Sequence, residues 1–325
     1  MLLGACSSSD DNPSAASAGT ANMQTAGTTS TAGTTSAAGS SATAGSAGAA
    51  GTNSGGAGTA GASTAGGGGS SSSSGTGGGG GSGGSGVPAT EKFSFFVTSM
   101  ASMVELAKAK DPTMTVGFGG DLSYGEQGAG AGLRGADKIC TAIAEKGMPG
   151  NNKTWRAFLS VTAGENGQPV NAISRIGAGP WYDRTGRVVA MNVDGLKTTR
   201  PTGGDASIAV DLPNEFGIPN HAPNPNEDEV DNHDTMTGSN AQGALNSQNM
   251  GATCNDWTSK VGNVGKPNCG HSWPRSGNQS WISTHAAGGC APGINIFGEG
   301  GPQPGDLTVG AGGGYGGIYC FALQP

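Results

Sequence analysis

The chain has 325 residues, of which 64 are glycine and 5% are aromatic, and its formal net charge is −7. Its acidic residues are not matched by a cluster of lysine or arginine, which argues against binding to nucleic acid or to an anionic membrane surface. No apolar run approaches the roughly 20 residues of a membrane-spanning helix.

The first part of the chain predicts a tether. Residues 7–87 consist almost entirely of Gly, Ser, Ala and Thr and contain no aromatic residue. Such a segment cannot bury enough apolar surface to offset the entropy lost on ordering, so we expect it to be disordered. Residues 88–325 remain as one domain, long enough to enclose a single core.

The sequence LGAC at residues 3–6 resembles the end of a bacterial lipoprotein signal, in which the cysteine becomes the lipidated N-terminus. No charged start and no apolar stretch of signal length precede Cys6. Two interpretations stay open: the true start lies upstream and residues 1–6 are the remnant of a signal, or Cys6 is an ordinary thiol. The first predicts a lipoprotein of the outer membrane or cell surface, which contacts the membrane only through its lipid. Otherwise we expect a secreted protein.

The front of the domain predicts one strand and two helices. Residues 93–100, FSFFVTSM, are typical of a buried strand, and residues 99–110 carry apolar residues at helical spacing. A clearer amphipathic helix is predicted over residues 133–147, with Gly147 as its C-terminal stop.

The rest of the domain predicts short strands and long loops. Residues 154–161, TWRAFLSV, alternate as a strand does, and residues 179–193 predict a hairpin. The 40 residues from Asp194 to His233 show little periodicity and predict a loop, of a length that tends to be functional. Further strands are predicted at 235–239, 253–259 and 316–323, the last one central. This pattern indicates an α+β fold.

The cysteines predict disulfides rather than a metal site. Five of the six lie in the domain, widely separated and without a C-x-x-C pair, which argues against a structural zinc site of cysteines. Widely spaced cysteines in an exported domain are typical of long-range disulfides. Because five is odd, one cysteine is left over.

An ordered set of motifs carries a family resemblance. A strand, a helix that holds a cysteine, TWRAFLS, GPWYDRTGRVVAMN, a TG strand, CNDWTS and a terminal YCF follow one another. Together they resemble the endostatin-like branch of the C-type-lectin fold, which occurs in exported bacterial surface proteins and lipoproteins of unknown role. The resemblance covers roughly Phe93 to Leu323.

This resemblance implies two nested disulfides. Cys140 of the helix would pair with Cys320 of the last strand, and Cys254 would pair with Cys290. Cys269 has no counterpart in the family pattern, so it is either free or joined to Cys254 or Cys290 in an alternative pairing.

The acidic stretch NPNEDEVDNHD, residues 224–234, raises the question of a cation site. Asn224, Asn226 and Asp228 alternate as in an EF-hand loop and offer the oxygen ligands that calcium prefers. The EF-hand pattern then fails, because its sixth position is Glu229 rather than Gly and its twelfth is Thr235 rather than Glu.

Two interpretations of this stretch remain. In one, an irregular loop gathers Asp228, Asp231 and Asp234 around a calcium ion. In the other, the stretch is a solvated acidic loop whose Asn and Asp side chains cap turns.

The histidines allow a different metal. All four lie within 65 residues, and with two aspartates they could form a zinc centre, closed for structure or open for hydrolysis. No H-E-x-x-H or H-x-H spacing supports this hypothesis, and a histidine beside Asn or Ser commonly caps a turn instead. The side chains concerned are His221, His233, His271, His285, Asp231 and Asp234.

Carbohydrate binding of the lectin kind would need the Glu-Pro-Asn or Gln-Pro-Asp and the Trp-Asn-Asp triplets, which the sequence does not contain. A ligand could still stack on Trp257, Trp273 or Trp281, with His271 nearby, although for at least one of these tryptophans we expect burial in the core instead.

We therefore expect a cell-surface binding or adhesion module on a flexible tether, with a polysaccharide, a matrix component or a protein as its partner. The competing hypothesis is a metal-dependent hydrolase or another enzyme built on the same fold. The sequence shows no recognisable acid–base or nucleophile constellation that would favour the enzyme.

Overall fold

The computed structural model describes residues 89–221, 232–274, 278–295, 303 and 305–324. The predicted signal remnant with Cys6 and the tether 7–87 lie outside the described residues.

Within the described residues the fold is α+β, with few helices and short strands. The helices are α1 (Met100–Lys110), α2 (Ala131–Gly147), α3 (Val193–Leu196) and α4 (Ala206–Val210). The strands are β1 (Phe95–Val97), β2 (Trp155–Ala157), β3 (Trp181–Tyr182), β4 (Val188–Ala190), β5 (Asp234–Met236), β6 (Asn268–His271), β7 (His285–Ala286) and β8 (Gly314–Ala322).

The last strand, β8, organises the main sheet, and the prediction of a central strand there is confirmed. All nine of its residues are buried. Near its C-terminal end, β1 and β2 both pair antiparallel with Cys320 and Phe321, so they flank β8 on its two sides. The predicted strands at 93–100 and 154–161 are thus present, although each is only three residues long.

The N-terminal half of β8 pairs with a second group of strands. β5 runs parallel to it, β6 pairs antiparallel with β5, and β7 pairs antiparallel with β6. The main sheet therefore has the strand order β1-β8-β5-β6-β7, with β2 as an additional partner of β8.

Helices α1 and α2 cover the core as their sequences predict. The side chain of Ser99 caps α1 by accepting a hydrogen bond from the amide of Ser102. The predicted apolar face of α2 is buried, and Gly147 is the last residue of the helix. Within the described residues, no helix has both the length and the apolar character needed to cross a lipid bilayer.

Two predictions of local structure need correction. The hairpin is present as β3 and β4, but the predicted loop that follows it contains the short helices α3 and α4. Helix α4 begins after Asp205, whose carboxylate accepts a hydrogen bond from the amide of Ser207. Such a short helix, held by its cap, has too few residues to produce a periodic pattern in the sequence.

The predicted strand at 253–259 is wrong. Residues 254–257 form a left-handed turn, with φ between 49° and 63° at four successive residues that are not glycine. This conformation is costly for L-residues, so tertiary contacts have to hold it. The Asp256 carboxylate accepts hydrogen bonds from the amides of Thr162 and Ala163 and from the hydroxyl of Thr162.

Two disulfides join the pairs that the family resemblance implied. Cys140 of α2 is bonded to Cys320 of β8, and Cys254 of the left-handed turn is bonded to Cys290. Cys269 is free and buried. The first bridge spans 180 residues of sequence and ties the main helix to the central strand.

Candidate metal centre

Four side chains meet where β5, β6 and β7 lie side by side. Asp234 begins β5 and His271 ends β6, and these two residues are directly opposite each other in the antiparallel pair. His285 begins β7 opposite Cys269, two residues from His271 along β6. His233 immediately precedes β5. Opposite residues of antiparallel strands have side chains in contact on one face, so this register brings Asp234 and His271 together.

The three imidazoles converge on one carboxylate oxygen. The Nε2 atoms of His233, His271 and His285 lie 3.4, 3.1 and 3.2 Å from Asp234 Oδ1. The Nε2 atoms of His271 and His285 are 3.0 Å apart. One ligand atom from each of the four residues lies within 4.8 Å of the other three.

These spacings match those of ligands around a small metal ion. Zinc binds imidazole nitrogen and carboxylate oxygen at about 2.0–2.1 Å in tetrahedral geometry, which places neighbouring ligand atoms about 3.3 Å apart. The separations between Asp234 Oδ1 and the three nitrogens, 3.1 to 3.4 Å, agree with that edge length.

Three of the four side chains are almost completely buried. The exposed fractions of the side chains are 3% for His233, 1% for Asp234 and 2% for His271, against 39% for His285. Three buried atoms of the cluster have no hydrogen-bond partner within the described residues: Oδ1 and Oδ2 of Asp234 and Nδ1 of His271. Buried polar atoms without aligned partners are costly, so packing alone does not account for this cluster.

The electrostatics of the cluster favour an ionised carboxylate. Burial opposes ionisation of Asp234, but the His271 and His285 imidazoles outweigh it, so the pKa of Asp234 lies below its ordinary value. The Asp234 carboxylate raises the pKa of His285, whereas burial lowers the pKa of His271. A carboxylate that stays ionised and a histidine that stays neutral are the protonation states in which both groups bind metals.

Glycines let the backbone approach the cluster closely. The carbonyl of Gly313 accepts a hydrogen bond from the amide of Asp234 at 2.8 Å. A Cβ on Gly313 would lie 2.0 Å from Cε1 of His233, and one on Gly314 would lie 2.9 Å from Cβ of Asp234. Gly313 and Gly314 therefore form the wall behind His233 and Asp234, and only the backbone contacts reveal their role.

Further contacts hold two of the histidines in place. Arg200 is largely buried and donates hydrogen bonds to the carbonyls of His271, Ser272 and Ala209. The Trp273 ring packs edge-on against His233, with the ring centroids 5.8 Å apart, and its Nε1 donates to Asn232 Oδ1. Outer contacts of this kind orient metal ligands in known sites.

The structure separates the residues of the zinc hypothesis. Four of them form the cluster, including His271 and Asp234. His221 lies apart, where its Nδ1 is 3.3 Å from Asp211 Oδ2 and its ring packs on Trp273 at 4.4 Å. Asp231 lies outside the described residues, as do Asn224, Asn226 and Asp228 of the calcium hypothesis. Asp234, the last member of that hypothesis, has histidines as its neighbours.

The proposed stacking role is wrong for two tryptophans. Trp257 and Trp281 are fully buried in the core. Their indole nitrogens donate to the carbonyls of Ser160 and Leu196, so both ends of each side chain are occupied inside the protein. Trp273 is half-buried, and His221 covers part of its ring.

Comparison with known proteins adds no family to this description. No family model matches the chain, and no curated protein matches it in sequence.

Proposed function

We propose that this domain binds a divalent transition metal ion of the zinc type through His233, Asp234, His271 and His285. The observation that supports the proposal is the convergence of three Nε2 atoms on Asp234 Oδ1, at 3.1 to 3.4 Å. Neither carboxylate oxygen of Asp234 has a hydrogen-bond partner within the described residues. A cation placed between Asp234 Oδ1 and the three nitrogens would bind all four ligand atoms at once.

The donor set favours zinc over calcium. Imidazole nitrogen suits zinc and its neighbours in the first transition row, whereas calcium takes six to eight oxygen ligands. The cluster offers three nitrogens and one carboxylate. Asp234 is therefore assigned to a transition-metal centre rather than to the calcium loop expected from the acidic stretch.

Calorimetric titration of Zn²⁺ into chelator-treated protein tests the proposal, with Co²⁺ absorption as a second readout. We expect one ion per chain and a rise in melting temperature, since a ligand that binds only the folded state stabilises it. His271→Ala should lower the affinity for zinc by about a hundredfold or more. This loss exceeds the one expected when a residue that only contacts a metal ligand is replaced.

His221→Ala is the matched control, because this histidine contributes no ligand atom to the cluster, and it should lower zinc affinity far less than His271→Ala does. Absence of bound zinc in the wild-type protein would contradict the proposal. So would an equal loss of affinity in the His221 variant.

We further propose that the domain is an exported binding or adhesion module of the C-type-lectin-like, endostatin-like kind, presented at the cell surface by its tether. Two disulfides that join the implied pairs support export and this fold, because such bridges persist in oxidising compartments. The expected partner is a polysaccharide, a matrix component or a protein. The competing function is a metal-dependent hydrolase.

A glycan array probed with zinc-loaded domain and with the His271→Ala variant separates these functions. Binding that the variant loses would assign the metal centre to recognition, and binding that it keeps would assign recognition to another surface. Release of cleaved glycan from the array by the wild-type protein alone would favour the hydrolase. No retention and no cleavage of any glycan would remove polysaccharide from the proposed partners.

A further inference from the structure

The four ligands of the cluster are unequally shielded from solvent. The His285 side chain is 39% exposed, while the side chains of His233, Asp234 and His271 are exposed by 3% or less. As far as the described residues show, the cluster is open to solvent only on the side of His285, so a small molecule can approach the ligand atoms from that side.

Gly312 borders this side of the cluster. A Cβ built on Gly312 would lie 3.6 Å from Asp234 Oδ2 and 3.9 Å from His285 Cε1, and no other described atom outside its chain neighbours would lie within 4 Å. The next residue behaves differently, because a Cβ on Gly313 would collide with the His233 ring at 2.0 Å. Gly313 thus closes the inner wall of the cluster, whereas Gly312 leaves room for a methyl-sized group beside two ligand side chains.

The same side presents an acceptor without a donor. Asp234 Oδ2 is buried, and within the described residues it has no hydrogen-bond partner. If Oδ1 binds the metal ion, Oδ2 remains as a lone acceptor that faces the room beside Gly312. A ligand that places an oxygen on the ion and donates a hydrogen to Oδ2 would satisfy both.

We infer that the metal centre is open rather than closed: it takes one exogenous oxygen ligand that carries a hydrogen, such as water or the hydroxyl of an alcohol or hydroxamate, in the room between His285, Asp234 Oδ2 and Gly312. The inference rests on the proposed metal binding, and it deepens it by naming the class of ligand. Since His233, Asp234, His271 and His285 already supply four ligand atoms, the exogenous oxygen is a fifth ligand, a coordination number that zinc reaches in catalytic sites.

Titration of acetohydroxamate into the Co²⁺-loaded protein tests this inference, because the absorption of Co²⁺ changes when its coordination changes. Acetohydroxamate is small and has both metal-binding oxygens and hydrogens to donate. We expect a saturable spectral change in the wild-type protein, with cobalt still bound after dialysis. Gly312→Ala should weaken acetohydroxamate binding by about tenfold or more, which is a loss of the size expected for one displaced contact, and leave the affinity for Co²⁺ nearly unchanged.

Gly305→Ala provides the matched control. Gly305 has φ of +103°, close to the +106° of Gly312, but a Cβ there would meet no atom of the described residues within 4 Å. Both variants therefore place an alanine at a similar positive φ, and only the alanine at 312 lies beside the cluster. The Gly305 variant should bind acetohydroxamate like the wild-type protein.

Each other outcome overturns a defined part of the inference. A wild-type protein that binds Co²⁺ but shows no spectral change would mean a closed site, and the metal-binding proposal would stand alone. Equal acetohydroxamate binding by the Gly312 and Gly305 variants would show that the exogenous ligand does not bind beside Gly312. Acetate that binds as tightly and with the same dependence on Gly312 would remove the requirement for a donated hydrogen. Failure of Co²⁺ to bind would overturn both proposals.

Discussion

The two ends of β8 are equally buried, but they are stabilised by different means. At the C-terminal end, Phe321 packs edge-on against Phe95 of β1, with ring centroids 4.9 Å apart, and Cys320 is bonded to Cys140. At the N-terminal end, the neighbouring strands carry buried polar groups, among them Asp234 and His271. Apolar packing and a covalent bond account for the first end. The N-terminal end is surrounded by buried charged and polar side chains that packing alone does not satisfy, and we therefore place the metal site there.

The largest effect should come from breaking the covalent link at the C-terminal end. Replacing both Cys140 and Cys320 with Ala removes a bridge that closes 180 residues, worth about 5 kcal/mol in the chain-entropy model. Urea unfolding should show this loss of stability. Zinc affinity, measured where the variant is still folded, should not change, because the cluster lies at the other end of the strand.

Cys269→Ala is the control for this prediction, since it removes a buried thiol without breaking a bridge. If the control lost as much stability as the double variant, the difference between the two ends would not depend on the disulfide.

A smaller effect is expected from Gly313→Ala, which disturbs the polar end. The new Cβ would collide with the His233 ring, and φ at this residue is +139°, so the free energy of unfolding should fall by about 3 kcal/mol. Unlike the cysteine variant, this one should also lose zinc affinity. An unchanged zinc titration would show that His233 does not bind the metal.

Arg200→Met tests whether contacts outside the cluster set its geometry. Without the guanidinium, the carbonyls of His271 and Ser272 lose their donor, and zinc affinity should fall by about tenfold. The absorption spectrum of bound Co²⁺ should change as well, which loss of stability alone would not produce. Arg156→Met, which removes an ion pair to Asp137 of α2, should leave the spectrum as it is.

The smallest effect is the dependence of metal binding on pH above the ordinary imidazole pKa of about 6.5. A histidine must lose its proton to bind a metal, and the Asp234 carboxylate raises the pKa of His285 above its ordinary value of about 6.5. Zinc affinity should therefore be full above that raised pKa and fall severalfold as the pH drops through it. Calorimetry in several buffers would detect the released proton.

The metal-free protein should show the opposite trend. A raised folded-state pKa contributes stability that is fully present below the pKa of the unfolded imidazole and is lost as the pH rises through the pKa of folded His285. A zinc affinity that stays constant from pH 8 to pH 6 would mean that His285 is not a ligand.

Local patterns in the sequence were sufficient for several elements. The helix over 133–147 follows from its apolar spacing, the hairpin of β3 and β4 from its turn, and the central strand from the apolar run at 316–323. Each of these depends on residues close together in the chain. The left-handed turn at 254–257 was not predictable in this way, because distant partners such as Thr162 and Cys290 hold it.

The sequence by itself determined the fold class and supplied the histidines and Asp234. Only the tertiary structure decided which of them meet, because the register between β5, β6 and β7 selects His233, His271 and His285 and leaves His221 apart. The physical reason is the distance along the chain. Residues 233, 271 and 285 are brought together by pairing between very short strands, and no local period in the sequence encodes such pairing.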